Sequence, residues 1–118
     1  MYSFEKIDLG TYRGDGYFLA GFVEPEASEG EDYDPDVDAD DFGVTLVQAG
    51  THPLEENIEI VRMDTAHGQP HMDLVYLPPD VDEESKVWLD DDYTYERMKQ
   101  YLQANWKMFA DRHIRENE

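Results

Sequence analysis

The chain has 118 residues, no cysteine, and 29 acidic against 9 basic residues, for a formal charge of −20. That length suits one domain, 1–118, with one core. The lack of cysteine excludes a disulfide framework and thiolate chemistry, and the charge argues against sequence-independent nucleic-acid binding, which needs a basic patch.

No apolar N-terminal run has the length of a signal peptide or a membrane span, so a cytoplasmic protein with no membrane partner is expected. A 40% hydrophobic, aromatic-rich composition argues against disorder. So much negative charge repels itself at low ionic strength and suits a high-salt cytoplasm, where counterions screen it. A halophilic protein is therefore expected.

Met1 to Asp15 carries Phe4, Ile7, Leu9 and Tyr12 among polar residues, interrupted by Gly10 and Gly14; it reads as an irregular arm or a short strand. Gly16 to Glu24 reads as a buried strand, with Phe18, Ala20 and Phe22 on one face and Tyr17, Leu19 and Val23 on the other. Residues 26–41 hold nine carboxylates and little to bury, which predicts a long solvated loop open to disorder. Its Asp32-Tyr33-Asp34-Pro35-Asp36 run lacks the EF-hand glycine and glutamate, since Val37 and Gly43 occupy those places. Phe42 to Gln48 is the next strand, pairing with the first across the acidic loop. Ala49 to Pro53 is a turn with an exposed His52. Asn57 to Asp64 and His71 to Leu77 follow as strands, Pro78-Pro79 stops the second, and Lys86 to Leu89 reads as a short edge strand.

The last segment is helical. Asp91, Asp92 and Thr94 offer N-cap oxygens, Tyr95, Met98, Leu102, Trp106 and Phe109 recur at helical spacing, and Arg112, His113 and Arg115 suit the C-terminal dipole. The expected fold is α+β: an antiparallel sheet of four to five strands with one C-terminal helix on one face. The first strands are apolar on both faces. The second face therefore needs a cover, either the N-terminal arm or a second copy, and a homodimer is expected.

The chemistry concentrates in residues 62–73, Arg-Met-Asp-Thr-Ala-His-Gly-Gln-Pro-His-Met-Asp. Matching charge and hydrophobicity across the flanking strands sets Ile58 opposite Leu77, Ile60 opposite Val75, Arg62 opposite Asp73 and Asp64 opposite His71, all on one face. Val61 with Leu74 and Met63 with Met72 take the other. Thr65 to Pro70 form the loop, with Gly68 supplying any positive φ.

Three readings fit this cluster. It is a structural ladder of cross-strand ion pairs. Alternatively, it is a metal-independent phosphodiesterase site, with His67 and His71 as acid and base, Arg62 for the phosphate, and Asp64 orienting His71. In the third reading His67 and His71 hold a divalent metal with Asp64 or Asp73, although no established zinc spacing is matched and no cofactor is assigned.

These residues resemble the motif of a family of small uncharacterised bacterial and archaeal proteins, Arg-Tyr-Asp-Thr-Ala-His-Gly, two spacers, His, one spacer, Asp. The resemblance takes in the preceding strand and the helix with Asn105-Trp106, about half the chain. Met63 stands where that pattern often has tyrosine. More distantly, the segment is similar to the tip of TumE-like toxins of toxin–antitoxin pairs, whose second histidine corresponds to Asp73. The resemblance implies a toxin-like ribonuclease acting on RNA through His67, His71, Arg62, Asp64 and Asp73, with an antitoxin partner. The alternative expectation is a non-catalytic dimeric binding or regulatory protein whose motif is structural.

Overall fold

The computed structural model describes residues 1–27, 32–50, 55–65, 68–77 and 85–116. Among them, six strands lie side by side in chain order: β1 (Tyr2–Tyr12), β2 (Asp15–Glu24), β3 (Asp41–Gln48), β4 (Ile58–Asp64), β5 (His71–Leu74) and β6 (Lys86–Trp88). Every neighbouring pair is antiparallel. A short helix, α1 (Pro35–Asp38), lies between β2 and β3, and a long one, α2 (Tyr95–Glu116), follows β6. The α+β class and the single long helix on one face are as the sequence predicts, with one strand more than expected. Among the described residues no helix is long and apolar enough to cross a membrane.

The additional strand is the N-terminal arm. β1 pairs along the whole of β2, from Tyr2 with Val23 to Tyr12 with Asp15. The glycines that look like interruptions are punctuation within a hairpin. Gly10 sits at a register shift after Asp8. Arg13 and Gly14, with φ of 53° and 89°, make a two-residue turn of the kind whose twist matches that of the strands. The arm therefore widens the sheet and does not fold over its second face.

The acidic segment is also more structured than expected. Its residues 28–31 lie outside the described ones, but the carboxylates of Asp34, Asp36, Asp38 and Asp41 all accept hydrogen bonds. Asp34 caps α1 by accepting from the Asp36 amide at 3.0 Å. Asp36 in turn accepts from the Tyr95 amide at 2.7 Å, so it caps the N-terminus of α2 from across the fold. Thr94, an expected cap, accepts from the Arg97 amide at 3.1 Å.

The core lies between α2 and the sheet. Tyr95, Met98, Leu102, Trp106, Phe109 and Ala110 of the helix meet Tyr17, Leu19, Val44, Leu46, Val61 and Met63 of the strands. Burying each large side chain contributes about 1.5–3 kcal/mol. A bulge in β4 sets Leu46 opposite Val61 but Val47 opposite Glu59. The extra residue is Ile60, which is fully buried in the core together with Val61.

Candidate functional site

Alternation along the strands leaves a second face away from α2, and the register assembles it into rows. One row runs Ser3, Phe22, Gly43, Asp64, His71 and Trp88 from β1 to β6. The next runs Lys6, Ala20, Thr45, Arg62, Asp73 and Lys86. A third, shorter row holds Asp8, Phe18, Val47 and Glu59. Phe18, Ala20 and Phe22 thus share the face that their alternation predicts, and the expected pairs Arg62 with Asp73 and Asp64 with His71 are both present.

The aliphatic continuation of that register is not formed. β5 ends at Leu74, so Val75 and Leu77 lie beyond it; the Leu77 amide turns back to the Leu74 carbonyl at 3.1 Å. The β4 bulge draws Ile60 into the core and sets Ile58 opposite Gln48. A period-two pattern cannot carry an extra residue, which is why pairing by sequence alone overran here.

At the centre of the first row the ring of His71 lies between two carboxylates. Its Nε2 is 3.3 Å from Asp64 Oδ1 and 3.3 Å from Asp73 Oδ2. Its Nδ1 lies 3.1 Å from the Gln69 carbonyl oxygen. A carbonyl oxygen only accepts, so Nδ1 carries a proton and donates it there. Trp88 packs on the imidazole with ring centroids 5.5 Å apart. His71 is 2% exposed and Asp64 6%, whereas Trp88 is 55% exposed. Lys86 approaches the other oxygen of Asp73 at 3.9 Å.

Arg62 does not close the ion pair that its register position suggests. Its guanidinium bonds to Glu59, three residues back on the same strand. His71 takes the place beside Asp73 instead, because its short rigid ring reaches both carboxylates. His67 and His52 lie outside the described residues, so the structure brings together four of the five expected site residues on one face: Arg62, Asp64, His71 and Asp73. Gly68 has the positive φ expected of it, 85°.

Beside the cluster is a cleft of about 290 Å³ lined by Met1, Phe22, Gly43, Thr45, Glu59, Arg62 and Asp64. Small residues make its floor. Gly43 is required there for a second reason: a Cβ at that position would stand 2.8 Å from Asp64 Cβ and 3.0 Å from the Met63 carbonyl oxygen. Sequence reasoning missed Gly43, Thr45, Lys86 and Trp88 as members of this face. The alternation that placed Phe22 carries over to its neighbours only once the β2–β3 and β5–β6 registers are known.

Compared with known proteins, residues 37–118 match the family model described as Domain of unknown function (DUF7718). That span takes in β3 to β6 and α2, hence every member of the His71 cluster. No curated protein and no solved structure matches the chain.

Proposed function

The chain belongs to the DUF7718 family, and from that premise we propose that it is a non-catalytic, dimeric binding or regulatory protein in which the hairpin motif is structural. The observation that carries this reading is the sequestration of His71. A general acid or base must reach the proton it moves, and this imidazole is buried with both ring nitrogens directed at protein oxygens. The open face supports it as the contact surface. Lys6, Arg62 and Lys86 stand there among Asp8, Glu24, Asp41, Glu59, Asp64 and Asp73, so the face stays acidic but carries three cations in a chain of formal charge −20. Those cations, with Phe22 and Trp88 as apolar anchors, are what a second copy would meet. A salt-rich cytoplasm, which the acidic composition favours, lowers the repulsion between copies.

Light scattering in molar salt tests the reading. A dimer is expected, and Trp88→Glu is expected to convert it to a monomer. A wild-type monomer across a wide concentration range overturns it.

A second reading, a toxin-like ribonuclease held by an antitoxin, is favoured by the cleft. Arg62 and Asp64 both line it. In this reading Arg62 holds phosphate, Asp64 is the acid–base group that meets the substrate, and His71 and Asp73 position it from behind. Cleavage of single-stranded RNA that is lost in both Asp64→Asn and Arg62→Ala would establish this reading over the first.

A further inference from the structure

We propose that Asp64, His71 and Asp73 bind a divalent transition-metal cation of the zinc class, which staples β4 to β5 at the hairpin end. The inference rests on the structural reading of the motif only for what the ion does there; whether it binds is a separate question of geometry.

The argument starts from the imidazole. With the Nδ1 proton committed to the Gln69 carbonyl at 3.1 Å, the neutral ring presents Nε2 as an acceptor. A backbone carbonyl behind a histidine is the usual outer support of a metal-ligating imidazole, since it fixes the tautomer and raises the basicity of the other nitrogen. Nε2 faces two further acceptors, Asp64 Oδ1 and Asp73 Oδ2. One donor atom from each of the three side chains lies within 4.8 Å of the others. Three converging acceptors, with Asp64 and His71 buried, favour a positive centre among them.

That centre is either a second proton on the ring, shared between the two carboxylates, or a metal ion, and the spacing fits the ligand shell of an ion. A charge-assisted N–H···O bond to carboxylate runs about 2.7–2.9 Å. Here both separations are 3.3 Å. Ligand atoms at about 2.0–2.1 Å from a tetrahedral zinc stand roughly 3.3–3.4 Å from each other. A single N–H shared between two oxygens makes a three-centre bond with both arms weakened, whereas an ion can sit between three ligands.

Charge is met at closer range by the ion. A divalent ion cancels both carboxylates at the cluster itself, while a proton on the ring cancels one and leaves the other to Lys86, 3.9 Å from Asp73. The surroundings suit a fixed site: Lys86 draws the other oxygen of Asp73 outward, and Trp88 shields the ring. One imidazole nitrogen with two carboxylate oxygens suits zinc-class ions over magnesium or calcium, which prefer oxygen alone.

The test uses the full chain, stripped with chelator in molar salt and titrated with zinc chloride by calorimetry. One ion per chain is expected, with low-micromolar or tighter affinity and a rise of several degrees in Tm. Millimolar magnesium is expected to leave Tm unmoved. Asp73→Asn is expected to weaken binding at least tenfold. His71→Gln is a second variant, and cobalt absorption of the wild type reads the ligand field without any variant. No saturable binding by the wild type overturns the proposal. Equal binding by Asp73→Asn also overturns it, since the ion then sits elsewhere on the acidic surface. A dimer that takes no zinc fails this inference and leaves the proposed function standing; a monomer that takes zinc does the reverse.

Discussion

The two faces of the sheet bury their residues by different means. On the covered face Leu19, Leu46 and Val61 stand in one row and Val44, Met63 and Met72 in another, and α2 removes them from water. On the open face neither helix of the described residues lies over Thr45 or His71, yet each is 2% exposed. Thr45 is enclosed by its neighbours, and His71 by Trp88 and the two carboxylates. Volume is what the covered face demands of a residue. The open face demands position, because each group there depends on the one directly across from it.

Truncation in the core should show the largest contrast between the faces. Phe109→Ala, at a site 1% exposed, should cost about 3–5 kcal/mol in urea unfolding. Phe18→Ala, half-buried beneath Lys6 on the open face, should cost less than about 1 kcal/mol in a monomer. An equal loss would mean that the open face is covered in solution, which sharpens the case for a dimer.

Gly43→Ala tests position directly. The added methyl is small, but it meets backbone and the Asp64 Cβ, neither of which can swing aside. The expected cost is about 1–3 kcal/mol, and metal affinity should fall with it as Asp64 is pushed from the cluster. A mutant with unchanged stability would break the claim that the open face depends on register. Salt should act more evenly. Screening the −20 formal charge should raise Tm by several degrees between low and molar salt, followed by circular dichroism. A flat profile would remove the halophilic reading.

The covered face was largely legible in the sequence because burial imposes a period. The spacing of Met98, Leu102, Trp106 and Phe109 marks the helix, and the alternation of Tyr17, Leu19 and Val23 marks the strand. Complementary charge was enough to pair Arg62 with Asp73 and Asp64 with His71. Three features escaped. β1 has few buried residues, so its pattern carries little signal, and its glycines read as breaks when they are the bulge and the turn. Asp36 caps α2 from a distant segment, and no local rule connects the two. Which carboxylate Arg62 takes depends on the reach of side chains, so the register is readable and the ion pairing is not.

The smallest effect concerns His113, in the last turn of α2. Partial burial lowers its pKa below the usual 6.5, and the nearby carboxylate of Asp15 at the start of β2 only partly offsets this. The sign follows from linkage. Below about pH 6.5 the unfolded chain takes up the proton while the folded chain still resists it, so the unfolded state binds more protons. Stability should therefore fall as pH drops from 6.5 toward the lowered folded value, and flatten below that value. His113→Gln should remove this component, by an amount on the order of a degree or two in Tm near pH 5.5. Asp15→Asn should enlarge it, since only desolvation then remains. Molar salt should do the same by screening Asp15, so the histidine's pH dependence should grow under the conditions that stabilise the fold. Thermal melts of the three proteins from pH 5 to 8, at low and molar salt, measure this. A pH dependence that shrinks in Asp15→Asn would mean that His113 is governed by its charge partner and not by the apolar environment beneath α2.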